Sequence, residues 1–405
     1  MKLALSLNNT VQVAGNVLFF LLLLVMMVDP GNAILRLKDV LFILFFGFNV
    51  VFYKPEWRNL IFIVPVYLVI FIAYLFSVIQ QTQIDYIYFI AALKGFAPLT
   101  LLLWIRHYNV LKLSLAPVLI TCVIILTLYS LILIYPEFEG LLFLYSQEHN
   151  EMVMLTSRNW LGVKIFGMYY RSVVSFMPVL FYFLYQVLHT KSSFKVGHWV
   201  GMLLIFIVFM ISGTRAMFLT PFAILGILIY FKYLTKGKIR YFLYPLFAVF
   251  ACLFLIIIYL MATQEGDESN AIKYGHLVSY ADLFNQNIEY LIFGQGPGAL
   301  FFSKGFGRVT PETEWTYLEL IRCYGVLSVV ILMVYLYPLY CCLKHRKNLF
   351  MVGLGFTYII FLAVGGTNPF LLNSQGMTMI WLMYSYISIN RIDLQSTSPN
   401  KPTDS

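Results

Sequence analysis

Charge is what this chain has least of. Only 11% of its 405 residues are Asp, Glu, Lys or Arg, while 61% are hydrophobic. Soluble domains carry about 25% charged residues, so a water-surrounded globule is excluded. Cysteine is scarce as well. Its five copies (Cys122, Cys252, Cys323, Cys341 and Cys342) all fall inside apolar runs, which points to neither a disulfide framework nor a thiolate metal site. The strict apolar–polar alternation of an outer-membrane barrel is missing. So is the internal repeat that many secondary transporters carry.

What is present is a series of apolar runs, many long enough for a hydrocarbon core of ~30 Å, which takes ~20 helical residues. They predict an all-α polytopic membrane protein of about twelve transmembrane helices, with two long periplasmic loops. The spans run near 11–28, 39–53, 60–79, 87–105, 113–135, 170–189, 197–211, 216–231, 241–262, 316–342, 349–365 and 376–390. Residues 1–395 form one transmembrane domain, with its large outer loops at 136–169 and 263–315. The polar, proline-containing tail 396–405 reads as disordered and cytoplasmic. Met1 to Val28 resembles a signal peptide, but the spans that follow make it a signal-anchor helix. Aromatics, glycines and an amphipathic stretch near Tyr280–Tyr290 imply that the long loops are folded.

With both ends cytoplasmic, the inner segments collect sixteen Lys and Arg against nine in the outer ones. That asymmetry obeys the positive-inside rule. The reverse orientation would export the Lys232–Arg240 and Lys344–Lys347 clusters.

Four cations belong to the outer half of the bundle: Lys94, Arg171, Arg215 and Arg322. Any one of them alone is explained by snorkelling or by an ion pair, and Glu319 lies three residues before Arg322 on one helix face. Together they make a cradle for a phosphate-rich headgroup, since Arg offers bidentate contacts and Lys a point charge. Gly294, Gly296 and Gly298 are not a nucleotide loop, because no strand precedes them. They suit a tight turn that brings backbone close to a ligand or to the next helix. Glu312 and Glu314 directly precede a span. One of them is placed to act as a base at the membrane surface, although a carboxylate there also complements the helix dipole. The pairs Glu137/Glu139 and Glu265/Asp267 read as solvated loop carboxylates in preference to metal ligands, and His149 and His276 as surface residues. Gly365-Gly366-Thr367-Asn368-Pro369 interrupts the last two spans and suggests a third wall to an outward-facing pocket.

In this order the motifs resemble the bacterial O-antigen and exopolysaccharide polymerases, relatives of the O-antigen ligases. Ser212-Gly213-Thr214-Arg215 is similar to the element that opens a central helix in that superfamily. Gly294, Gly296 and Gly298 resemble its periplasmic glycine loop, and Glu314 through Tyr317, Leu318 and Leu320 to Gly325 the run that follows. Arg171 with Pro178, and Thr367-Asn368-Pro369, resemble two further elements. The resemblance covers roughly 155–390; the first five spans match in hydropathy alone. Ligases typically carry His–Asn where this chain has Glu314-Trp315, which favours a polymerase. No Arg is followed eleven residues later by Gly in either long loop, a spacing found in some polymerases.

The resemblance implies a glycosyltransferase that moves a growing glycan from undecaprenyl diphosphate to a lipid-linked oligosaccharide repeat unit. The lipid diphosphate is the leaving group, so no cofactor and no nucleotide sugar is implied, and nucleic acid is not a partner. Arg171, Arg215, Lys94 and Arg322 would stabilise the leaving group. Glu314 would take the acceptor proton, and Tyr317 and Asn368 would belong to the pocket. A chain-length regulator and a repeat-unit flippase are the implied protein partners. The rivals are an O-antigen ligase, whose loss costs attachment and not polymer length, and a polysaccharide or lipid-linked oligosaccharide transporter.

The charge asymmetry itself is testable. A periplasm-dependent phosphatase fused at Gln147 or Gly275 should be active, and one fused at Lys236 or His345 inactive. Activity at Lys236 with none at Gly275 would reverse the orientation.

Overall fold

The computed structural model describes residues 2–32, 36–148, 153–160, 163–189, 196–234, 256, 268–344, 348–368, 371, 373 and 374–396. In hydrocarbon every backbone N–H must find its partner within its own segment, so the apolar runs become helices. The first part of the chain forms α1 (Lys2–Val28), α2 (Lys38–Phe52), α3 (Leu60–Ile79), α4 (Tyr86–Phe96) and α5 (Val110–Ile134). α4 tightens into a 3-10 stretch over Ala97–Leu103, where Pro98 removes a backbone donor. Next come α6 (Pro136–Glu148) and an antiparallel hairpin of β1 (Val153–Trp160) and β2 (Val163–Tyr170), which pairs Val153 with Tyr170. A 3-10 turn over Arg171–Phe176 leads into α7 (Met177–His189), followed by α8 (Val196–Ile211) and α9 (Arg215–Ile229).

Among the described residues, eight helical stretches are long and apolar enough to cross a membrane. Their exterior is apolar: Ile87 is 78% exposed, Ile79 73% and Ile61 70%. Water would penalise such a surface, whereas lipid tails would not. α2, with fifteen residues, and α8, with sixteen, are helical where spans were expected but fall short of that length. The expected span 241–262 lies outside the described residues except for Ile256, as do Glu265, Asp267, His149 and the tail beyond Ser396.

The second long loop contains α10 (Glu268–Gln286), the short α11 (Glu289–Phe293) and a hairpin of β3 (Phe301–Ser303) and β4 (Arg308–Thr310). His276, expected at the surface, is fully buried within it. Its Nδ1 lies 2.8 Å from Ser303 Oγ, its ring meets Phe306 edge-on, and burial lowers its pKa.

One expected span is broken. Residues 316–342 form α12 (Thr316–Tyr324) and α13 (Ser328–Lys344), separated by a turn at Gly325. Gly325 has φ +56°, and a Cβ there would lie 2.3 Å from the Ile292 carbonyl oxygen. Only glycine accepts both conditions without strain. The chain closes with α14 (Leu349–Gly366) and α15 (Ser374–Ser396).

Contacts sort the connections into two ends. At one end Gln375 Nε2 donates to Pro30 O (3.3 Å), Asp85 N–H to Gly298 O (2.8 Å) and Thr316 Oγ1 to Asn368 O (2.7 Å). At the other, Glu56 N–H donates to Leu103 O (2.7 Å), Trp104 Nε1 to Tyr53 O (3.1 Å) and Gln12 Nε2 to His107 O (2.9 Å). The described parts of both long loops belong to the first end.

Gly325→Ala should lower stability by about 2 kcal/mol or more, from left-handed strain combined with the steric conflict. A reduced unfolding midpoint of the detergent-solubilised protein is the expected readout. An unchanged midpoint would show that the break is not fixed at Gly325.

Candidate functional site

Breaking a helix leaves its last carbonyls without intrahelical partners. The glycine loop supplies them here. Gln295 N–H donates to Arg322 O (2.6 Å) and Gly296 N–H to Cys323 O (3.1 Å), the two carbonyls near the end of α12. Gly294, Gly296 and Gly298 have φ of +79°, +92° and +78°. Added Cβ atoms would meet Cys323 O at 2.4 Å, Ser77 Cβ at 2.6 Å and Asp85 O at 2.7 Å, respectively. The close approach anticipated for these glycines is thus to neighbouring protein.

Arg322 ties the same region together from below. Its side chain is fully buried. Nη1 donates to Gln295 Oε1 and Ala299 O, both at 2.8 Å, and Nη2 to Pro311 O (2.6 Å) and to Glu319. Nε donates to Glu319 at 3.1–3.2 Å, and the guanidinium lies 4.4 Å from the centroid of the Phe301 ring. All five N–H groups are therefore committed within the fold, and the expectation that Arg322 binds a diphosphate is corrected. The Tyr280 hydroxyl donates to Glu319 Oε2 and also meets Thr313 Oγ1. Burial and the Glu319 charge push the phenol far above its ordinary value, so it stays protonated.

Beside this network lies a half-open cavity of about 720 Å³ at the loop end of the bundle. The segment after α1 contributes Asn32, the start of α2 Lys38 and Asp39, and α4 Lys94. Arg171 comes from the turn after β2, Pro297 and Gly298 from the glycine loop, and Glu312, Thr313 and Thr316 from the approach to α12. The start of α15 adds Asn373, Ser374 and Gln375, and Glu319 lies at the buried side. Three cations thus share a wall with three carboxylates. Glu319 is already matched by Arg322. Lys94 and Asp39 approach to 3.8 Å, but both are more than half exposed, so the pair adds at most about 1 kcal/mol. Lys38 Nζ folds back onto Pro30 O at 2.9 Å. Arg171 is half-buried and has no hydrogen-bond or ion-pair partner among the described residues. α2 and α12 begin here without side-chain caps, so their first N–H groups add positive potential.

The two glutamates that precede α12 point to different places. Glu312 lines the cavity, whereas Glu314 does not. Glu314 turns toward α10, with its carboxylate 3.8 Å from Lys273 Nζ. The reason is local. Tyr280 holds the Thr313 hydroxyl inward, and Trp315 N–H donates back to that hydroxyl at 3.3 Å, which bends the chain between the two acids. The glutamate nearer the helix is thereby carried away from the cavity.

The other expected residues are placed as follows. Lys94 and Arg171 meet in the cavity wall. Arg215 opens α9 outside that wall and donates to Asn270 Oδ1 at 3.3 Å. Tyr317 donates to Leu362 O (2.7 Å) and packs where a side chain at Gly366 would stand. Asn368 caps the end of α14 through Val364 O (3.2 Å). Both are structural here, and neither lines the cavity. Glu137 and Glu139 are exposed on α6. Lys38, Asp39 and Asn373 were not singled out from sequence. Their only signal was a charged pair and an amide at the heads of two apolar runs.

An arginine-selective glyoxal reagent should modify Arg171 in the folded protein and leave Arg322 intact, as peptide mass spectrometry would show. Modification of Arg322 without unfolding would contradict its enclosure. No protein-family model, curated protein or solved structure matches the chain at a significant level.

Proposed function

We propose that this protein is a polysaccharide polymerase of a bacterial inner membrane, with its cavity facing the periplasm. It transfers a growing glycan from undecaprenyl diphosphate to the free sugar end of a lipid-linked oligosaccharide repeat unit. The observation that carries the reading is the cavity itself. It gathers Lys38, Lys94, Arg171 and Glu312 from four distant stretches of sequence at the end where the long loops lie.

Their chemistry suits this transfer. As the glycosidic bond to the carrier breaks, negative charge grows on the diphosphate. Arg171 and Lys94, with Lys38 beside them, stabilise that charge more in the transition state than in the ground state. Glu312, on the exposed rim, takes the proton of the acceptor hydroxyl. Glu319 is less suited to that task, because Arg322 and Tyr280 already occupy both its oxygens. A chain-length regulator and a flippase delivering repeat units would be the protein partners of such an enzyme.

The test uses purified protein and lipid-linked repeat units. Glu312→Gln should slow polymerisation by about 100-fold or more, the usual scale of a lost general base. Arg171→Lys should lose most activity, since the charge stays while the bidentate geometry goes. Glu314→Gln should remain near the unsubstituted rate. Full activity of Glu312→Gln together with loss in Glu314→Gln would overturn the assignment of the base.

A further inference from the structure

We infer that the cavity is the headgroup end of a lipid site whose single hydrocarbon chain leaves sideways between α2 and α4. The inference rests on reading the charged wall as a diphosphate site and adds where the carrier's tail lies. The cavity lining does not stop at the charged residues. It continues along Phe42 and Ile43 of α2 and along Tyr88, Ala91, Ala92 and Gly95 of α4. Further along, Phe46 of α2 meets Trp104, the residue that ends the 3-10 stretch after α4, edge-on at 5.3 Å. At the loop end of α2 Asp39 reaches Lys94 of α4 at 3.8 Å, and the cavity space is bordered by both Ile43 of α2 and Ala91 of α4. On the α4 side that space exists because Ala91, Ala92 and Gly95 project almost nothing into it.

The slot opens onto the outer apolar surface of the bundle. Ile43 is 68% exposed, Leu44 54% and Ile90 50%, so its mouth is bordered by side chains suited to lipid. The ligand that matches both halves is an amphiphile with a compact anionic head on Lys38, Lys94 and Arg171 and one apolar tail. A two-chain phospholipid would leave its second chain outside a slot bordered by a single pair of helices. We therefore assign the slot to a polyprenyl diphosphate, which would enter from the bilayer without passing through water. Asp39 and Lys94 stand at the entrance, one on each helix, 3.8 Å apart.

The full chain in phosphatidylcholine nanodiscs, photolabelled with a diazirine-tailed geranylgeranyl diphosphate, tests this directly. Labelled peptides should map to residues 40–44 and 87–95. Ala91→Trp, which fills the slot, should cut labelling at least five-fold, and Ile43→Ala, at an exposed position, should leave the fold intact while shifting the label. Excess unlabelled polyprenyl diphosphate should compete, and excess phosphatidylglycerol should not. Labelling of the unsubstituted protein mainly elsewhere would overturn the proposal whatever the variants do. Equal competition by phosphatidylglycerol would overturn the choice of ligand. Slot labelling without polymerisation of lipid-linked repeats would strike the polymerase reading and keep the lipid site. Polymerisation with labelling elsewhere would do the reverse.

Discussion

A buried guanidinium holds the loop end of this molecule together. Removing an arginine from water costs several kcal/mol unless every donor is matched, and Arg322 matches all five. Its acceptors come from three places: the glycine loop, the turn before α12, and α12 itself. One side chain therefore fixes how those three pieces meet. Replacing it by an uncharged residue would leave Glu319 buried with an uncompensated charge and free the carbonyls of Ala299 and Pro311 at once.

From that constraint the cavity wall follows. Arg322 fastens Pro311 and, through Glu319 and Tyr280, Thr313. Glu312 sits between the two fastened residues and has little choice but the rim. The glycine loop, held by Arg322 at Gln295 and Ala299, in turn places Pro297 and Gly298 along the same wall. The broken helix is part of the device. An unbroken run through Gly325 would keep the carbonyls of Arg322 and Cys323 inside the helix and leave the loop without its anchors.

Much of this architecture was legible in the sequence, and the limits are physical. Hydropathy finds helices because lipid demands them, so α3, α5 and α14 coincide with expected spans to within a few residues, and α7 does so together with the 3-10 turn that leads into it. It cannot see the break in 316–342, because a single glycine in an apolar run is ordinary until a second backbone lies against it. The glycine loop was read as a tight turn from spacing alone. Arg322 and Arg171 were placed in one cradle, with only Glu319, three residues before Arg322, to tell them apart. What separates them is whether the surrounding carbonyls exist, and that is a property of the fold. Glu314 was preferred over Glu312 chiefly because the resemblance sets it where the ligases carry histidine, and a hydroxyl-pinned bend turns it away from the cavity toward Lys273. The β1–β2 hairpin, read only as a folded loop, delivers Arg171 to the cavity from a segment whose pairing has no strong turn motif.

The account turns on one claim, that glycan is transferred in this cavity with a lipid diphosphate as leaving group. Counting polyprenyl diphosphate released against glycosidic bonds formed by the purified protein, using intact-mass analysis of lipid-linked repeat units, tests it most directly. The account requires one lipid diphosphate per bond, with both quantities falling together in Arg171→Lys. Release without bond formation, or polymer growth without release, would contradict it.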